Sequence, residues 1–222
     1  MIAGSIADRE RFVLDNTRLH PVPHAPKIVL HVADEAVPLW QRTESELERD
    51  GLEPPFWAFA WAGGQGLARY VLDHAVELRD RKVLDFASGS GLVGIAAARV
   101  GAQVTCIDVD PLAAAAAGLN ARANGVDLSI RTGDVVGADR AALGHPDIVL
   151  AGDIHYDRAM AERVTQWLLS LRRDGARVLV GDPGRSYFPC DLGWQELARY
   201  DVPVTRELED SEIRSVGVFE VT

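Results

Sequence analysis

From residue 82 onward the hydrophobic and polar positions switch between two periods. Short apolar runs bounded by glycine or aspartate mark strands, and longer stretches with small or apolar residues every three or four positions mark helices. Strands are predicted over 82–86 (KVLDF), 103–107 (QVTCI), 128–131, 147–151 (DIVLA) and 177–181 (RVLVG). The intervening stretches 92–100, 111–123 and about 158–171 are predicted helices. Pro111 suits a first helical position, and Asn124-Gly125 closes that helix. Met160, Val164, Trp167, Leu168 and Leu171 form one apolar stripe on the last of the three. Alternating strands and helices imply right-handed crossovers and a mostly parallel sheet. After a predicted helix at about 191–199, residues 201–208 and 213–221 read as strands joined by the polar turn 209–212. A hairpin makes one of its strands antiparallel to the other. The expected fold class is therefore α/β, a doubly wound seven-stranded sheet, mostly parallel with a C-terminal antiparallel hairpin.

The first 80 residues are less regular. Residues 6–14 can form a helix capped by Ser5, 27–32 a strand, and 38–49 a helix ended by Asp50-Gly51. Then comes the segment 54–66, PPFWAFAWAGGQG, leading into a helix over about 65–78. Its crowded tryptophans and phenylalanines can cover a sheet face or form the rim of a ligand pocket. No repeat or low-complexity linker divides the chain. One globular unit is expected, with residues 1–53 as an extension packed on a domain spanning 54–222.

Composition narrows the function classes. The 222 residues carry a formal charge of −10, with 47% hydrophobic and 25% charged residues, which is ordinary for a folded protein. The acidic balance disfavours nucleic acid and anionic membrane surfaces as partners, since neither gains counterion release from a negative surface. No apolar run approaches the ~20 residues that span a bilayer, and residues 1–16 lack the apolar core of a signal peptide. Cys106 and Cys190 make no disulfide framework, and no Cys/His cluster has metal-ligand spacing, so no metal is expected. A cytoplasmic location is the default expectation.

The strongest local signal is VLDFASGSGLVG at 83–94. Gly89, Gly91 and Gly94 satisfy G-x-G-x-x-G between a strand and a helix, where bare backbone can approach a ligand and present amides. Dinucleotide enzymes share this pattern. Asp85, four residues before the first glycine, separates the possibilities: a carboxylate there would repel a pyrophosphate but suit an ammonium or sulfonium. That favours S-adenosylmethionine over NAD. Asp108, ending the second strand, can accept both ribose hydroxyls of an adenosine or cap the helix beginning at Pro111, a role better suited to Asp110. Asp134 and the apolar Val135 can hold an adenine amino group and face, or simply form a turn. In an open parallel sheet the C-terminal strand edge faces the ligand crevice, and there stands Ala151-Gly152-Asp153-Ile154-His155-Tyr156. Asp153 can serve the site or cap a helix; His155 is a candidate base or a packed residue. Asp182 and Arg185, in the equivalent place after the fifth strand, can pair with each other or contact substrate. Neither the G-x-S-x-G elbow of serine hydrolases nor the phosphate-binding G-x-x-x-x-G-K-[ST] loop is present.

These motifs, in this order, resemble the seven-β-strand S-adenosylmethionine-dependent methyltransferases, which implies a Rossmann-like sheet. More narrowly, the chain resembles the electron transfer flavoprotein β-subunit lysine methyltransferase family. PPFWAFAWAGGQGLARYVLD at 54–73, VLDFASGSGLVGIAAA at 83–98, AGDIHYD at 151–157 and GDPGRSYFP at 181–189 carry the narrower match. The resemblance implies a cofactor loop of Asp85, Ala87, Ser88, Gly89, Ser90 and Gly91, with Asp108 and Val109 at the ribose, Asp134 and Val135 at the adenine, and Ala151 nearby. Trp61, Gly63 and Gly64 would close over the methionine end. Asp153 and Tyr156 match the D-x-x-Y element that frames a target lysine, with Trp57, Asp182 and Arg185 also on the substrate side. The implied activity is lysine N-methylation of the electron transfer flavoprotein β subunit, leaving S-adenosylhomocysteine. A small amine or nicotinamide-like heterocycle, or a ribosomal protein, is an alternative acceptor. An NAD-dependent oxidoreductase would leave Asp85 and D-x-x-Y unexplained, and a non-catalytic binding module would leave the intact motifs without a use.

Overall fold

A computed structural model describes residues 5–34 and 54–222; the helix expected over 38–49 lies outside the described residues. The chain opens with α1 (Ile6–Asn16), fixed at its start by a reciprocal capping box between Ser5 and Asp8. An antiparallel hairpin follows, β1 (Arg18–Val22) and β2 (Ala25–Val32). Its first strand was not expected, because RLHPV is almost wholly exposed and carries no alternation to read. A short 3₁₀ turn, Phe56–Ala58, precedes α2 (Ala62–Asp73) and the single turn α3 (Ala75–Leu78). The helix expected over 65–78 thus begins earlier and breaks at His74.

The remaining elements are β3 (Lys82–Phe86), α4 (Leu92–Arg99), β4 (Gln103–Asp108), α5 (Pro111–Ala123), β5 (Ser129–Thr132), β6 (Ile148–Gly152), α6 (Arg158–Arg173), β7 (Arg177–Asp182), β8 (Gln195–Pro203), α7 (Arg206–Glu209) and β9 (Ile213–Glu220). They build a seven-stranded sheet of order β5-β4-β3-β6-β7-β9-β8, in which β9 runs antiparallel to both its neighbours. The expected doubly wound, mostly parallel sheet is therefore present. The order reverses between β3 and β6, which opens a crevice at their C-terminal ends.

Alternating residues feed opposite faces of this sheet. On β3, Val83 joins Leu67, Val71 and Ile95 in the core beneath α2 and α4. Leu84 and Phe86 point the other way, against Val164, Trp167 and Leu168 of α6. The α6 stripe works because Asp157 caps its start, accepting from the Met160 N–H at 2.8 Å. In α5, Pro111 takes the first position and Asp110 accepts from the Leu112 N–H at 2.7 Å. A third apolar cluster joins Val13 of α1 to Trp57, Phe59 and one face of α5.

The C-terminal region departs from expectation. The helix predicted over about 191–199 is a brief 3₁₀ turn, Cys190–Leu192, followed by Gly193 in the left-handed region and then β8. Pairing decides this: β9 offers an open edge, and β8 fills it from Gln195 opposite Glu220 to Pro203 opposite Ile213. The strand predicted over 201–208 accordingly ends at Pro203, and residues 206–209 coil into α7.

Candidate active site

A cleft of about 330 Å³ opens at the sheet's C-terminal edge, between the β3–α4 turn, the ends of β4 and β6, and the segment from Pro54 to Gly64. Its floor is the glycine turn. Ala87, Gly89 and Gly91 all have positive φ, a conformation that glycine adopts without strain. Ala87, Ser88, Gly89 and Ser90 line the cleft; Gly91 lies behind it, packed so closely on α5 that a Cβ would fall 3.0 Å from that of Ala117. Asn120 of α5 secures the turn from outside, donating to the Ser90 carbonyl at 2.8 Å while accepting from the His31 N–H at 2.7 Å. The β1–β2 hairpin is thereby tied to the cleft floor.

Three carboxyl groups follow the edge. Asp85 is buried under the turn and accepts from the Gly94 N–H at 2.8 Å. Burial raises its pKa to about 8, against the lowering effect of that hydrogen bond. Burial therefore works against the negative charge expected from the sequence at this position. Asp108 accepts from the Gly89 N–H at 2.8 Å and the Asp110 N–H at 3.0 Å. Burial again raises its pKa. Asp110, not Asp108, caps α5. Farther along, Asp134 is half-exposed, paired with Arg163 at 3.0 Å and accepting from the Val136 N–H, which together lower its pKa. Val109 lines the cleft beside Asp108. Val135 and Ala151 turn away into the apolar cluster under α6, and Gly133, Val136 and Gly152 stand at the cleft in their place.

The opposite end is aromatic and charged. Asp153 follows β6 with φ +55°, a left-handed conformation that aspartate tolerates better than most residues. Its Oδ2 accepts from the Gly64 N–H at 2.9 Å; its Oδ1 accepts from Arg185 Nε at 2.9 Å and Nη2 at 2.6 Å. Burial raises the Asp153 pKa to about 6, a rise that Arg185 and the Gly64 N–H restrain and the Asp182 charge assists. Gly63 does not line the cleft. It lies against Asp153 and β7, where a side chain would strike the Gly181 carbonyl oxygen.

Asp182 is also not a cleft residue. Its Oδ1 accepts the Gly184 and Arg185 N–H groups at 2.7 Å each, and its Oδ2 lies 3.0 Å from His155 Nδ1. Asp182 thus shapes the turn that carries Arg185, without pairing with the Arg185 side chain. His155 is fully buried between Asp182, Thr165 and the rings of Phe188 and Trp194, out of reach of the cleft. The wall around Asp153 comprises Trp57, Trp61, Tyr156 and Phe56, with the Phe56 and Tyr156 ring centres 5.1 Å apart. Tyr156 is 45% exposed, at the mouth.

Two participants escaped sequence reasoning. Phe56 sits in the aromatic run and was within reach of it. Glu209 is buried and binds Arg185 through both oxygens, at 2.6 and 2.9 Å; it falls at the start of the expected polar turn 209–212, and no motif marks it.

The profile of the ribosomal protein L11 methyltransferase family matches residues 67–167. Among solved structures, the chain resembles a putative RNA methyltransferase from Pyrococcus horikoshii (TM-score 0.54, 16% identity, 81% of this chain and 94% of that one). It also resembles the Pyrococcus abyssi tRNA (uracil-54, C5)-methyltransferase bound to S-adenosyl-L-homocysteine (TM-score 0.51, 20% identity, 70% and 38%). At these identities the likeness concerns the fold. The electron transfer flavoprotein beta subunit lysine methyltransferase of Danio rerio is 37% identical over 97% of this chain and 84% of its own length. That of Homo sapiens is 35% identical over 84% and 71%. The chain belongs to this lysine methyltransferase family. It is a methyltransferase, and S-adenosylmethionine is its methyl donor.

The cleft suits that donor. A Cβ on Gly89 would meet only the Trp57 Cα, at 3.9 Å, so the space over this turn is open to a ligand, and Asp108 ends β4 where a ribose diol can be held. Asp134, Gly133 and Val136 would hold the base, and Trp61 and Gly64 would flank the methionine end. In this methyltransferase the cavity walls are chiefly apolar, apart from the carboxyl groups, Ser88, Ser90, Arg163 and Arg185, which matches an adenosine and a thioether-like tail. Among the described residues no group of His, Cys, Asp and Glu side chains could hold a metal ion, and no helix is long and apolar enough to cross a membrane.

Proposed function

We propose that this methyltransferase modifies lysine side chains of the electron transfer flavoprotein β subunit. The observation that carries the reading is Asp153, held by the Gly64 N–H and Arg185 at the aromatic mouth of the donor cleft, in a chain whose relatives bear that acceptor in their names. The L11-family match stops at residue 167, short of Arg185 and Glu209.

When bound, the donor supplies an electrophilic methyl group on a sulfonium. The protein's task is to bring a neutral amine into line with it, and orientation accounts for much of such a rate. A lysine ammonium, with an ordinary pKa near ~10.4, enters past Tyr156. Asp153 Oδ2 receives one internal hydrogen bond and retains a lone pair for an N–H of the acceptor. With a pKa of about 6, Asp153 is mostly ionised at pH 7 and far too weak a base to strip a normal lysine. It binds and orients. Enclosure by Trp57, Trp61, Phe56 and Tyr156 removes water, which favours the neutral amine and opposes the carboxylate's preference for the ammonium.

The test is incubation with labelled S-adenosylmethionine and recombinant electron transfer flavoprotein, followed by peptide mapping. Label on β-subunit lysines is expected, with at least ~100-fold less in Asp153→Asn and little change in donor affinity. Unlabelled flavoprotein alongside labelled small amines or ribosomal proteins would overturn the acceptor assignment. Full turnover by Asp153→Asn would overturn the role of Asp153.

A further inference from the structure

Asp153 by itself does not make an anionic site. Arg185 spends two N–H groups on its Oδ1, so that pair alone is close to neutral. Glu209 changes the sum. Its carboxylate forks onto the far edge of the same guanidinium, from Nη1 to Oε2 at 2.9 Å and from Nη2 to Oε1 at 2.6 Å. Two-bond forks of this kind are the stronger form of an arginine–carboxylate contact. The Glu209 side chain is only 2% exposed, and burying a carboxylate carries a heavy desolvation cost. Two carboxylates around one guanidinium leave a net negative charge at the back of the mouth. Arg214, whose buried Nε lies 3.3 Å from one Glu209 oxygen while the side chain as a whole is 39% exposed, offsets part of that charge through this single contact, against the two that Glu209 makes with Arg185.

We propose that Glu209 is a positioning residue for the acceptor: by taking one edge of Arg185 it keeps Asp153 from being spent on the guanidinium, and leaves the negative charge that a lysine ammonium meets beside Tyr156. This rests on the reading of Asp153 as the acceptor-facing group. Among the described residues, the charged or titratable groups around Asp153 are Tyr156 of the same segment, Arg185 on the turn after β7, Asp182 at the end of β7, and Glu209 of α7 with Arg214 of β9 behind Arg185. His155, on the same segment, faces Asp182 instead, and α2 contributes the uncharged Gly64 N–H. The ring centre of Trp61, 5.7 Å from the guanidinium carbon, gives Arg185 a further hold at the mouth.

The experiment is steady-state methylation of recombinant electron transfer flavoprotein between about pH 4 and 8.5 by the wild type and Glu209→Gln, Glu209→Asp, Arg214→Gln and Asp153→Asn. For Glu209→Gln we expect the acceptor KM to rise roughly tenfold, with kcat changed by no more than ~2-fold and donor affinity unaltered. The acidic inflection of kcat/KM should fall by about one pH unit, because Asp153 loses a like charge and gains the whole of Arg185. Glu209→Asp keeps the charge and should restore both. If Glu209→Gln does not fold, Arg214→Gln, at a partly exposed position, decides: removing that cation makes the cluster more negative and should lower the acceptor KM by ~2–3-fold. An unchanged KM and inflection in Glu209→Gln, or an unchanged or higher KM in Arg214→Gln, overturns the proposal while an inactive Asp153→Asn leaves the underlying reading standing. A fully active Asp153→Asn removes both.

Discussion

Gly63 and Gly64 are neighbours at the start of α2, yet a methyl group on each should have opposite consequences. A Cβ on Gly63 would run into the Gly181 carbonyl oxygen and lie 2.6 Å from Asp153 Oδ2. The carbonyl cannot turn aside, because it accepts the Asp153 N–H at 3.0 Å. Relief requires α2 and β7 to separate by about 1 Å, judged against contact distances near 3.5 Å. Such a shift would stretch the 2.9 Å bond from the Gly64 N–H to Asp153 beyond hydrogen-bonding range. Overpacking costs about 1–3 kcal/mol and a hydrogen bond to a charged group about 1.5–3 kcal/mol. Gly63→Ala should therefore lose about 3–5 kcal/mol and, with Asp153 released, roughly 100-fold in methyl transfer. At Gly64 the nearest atoms to a Cβ are Leu92 Cδ2 at 3.9 Å and Val93 Cγ2 at 4.0 Å. Alanine there meets ordinary contacts and gains up to ~1 kcal/mol of helix propensity. Urea unfolding of both variants, with initial rates on labelled donor, tests the pair. A Gly63→Ala protein as stable and as fast as the wild type, or equal losses in both variants, would refute the close-approach argument.

Asp85 makes the apo protein's stability depend on pH in a defined direction. Its folded pKa of about 8 lies above the 3.8 of an unperturbed aspartate, so its contribution is fully present below about pH 4 and is lost as pH rises through 8, by on the order of 5 kcal/mol in total. Asp85→Asn can still accept the Gly94 N–H, and its stability advantage over the wild type should widen between pH 5 and pH 8.5; parallel melting curves would contradict this. Asn120→Ala leaves the Ser90 carbonyl and His31 N–H without their partner. It should cost about 2–4 kcal/mol in urea unfolding and weaken donor binding through the Ser90 turn; a loss below ~0.5 kcal/mol would show that water replaces the amide.

The parts of this protein that sequence made legible are those where a local rule and the tertiary structure agree. The central strands β3, β6 and β7 are buried on both faces and so read as apolar runs, while Asp110-Pro111 and Asp157 mark helix starts through their own capping chemistry. Where the two levels disagree, tertiary structure wins. Residues 195–203 carry no decisive strand alternation, and only the open edge of β9 makes them β8. The same redirection ends that strand at Pro203 and creates α7, which brings Glu209 to Arg185 across 24 residues. Asp85 shows the limit in its chemistry. Its position near the end of β3 was legible, but the pull of burial on its charge was not, because burial depends on the turn folded over it. Motif residues therefore locate a donor cleft, whereas the electrostatics of its acceptor end come from a contact between segments that share no motif. Relatives of this chain that keep GDPGR but lack an acidic residue reaching Arg185 should therefore bind the donor normally and hold a cationic acceptor poorly, because Asp153 and Arg185 would then neutralise each other.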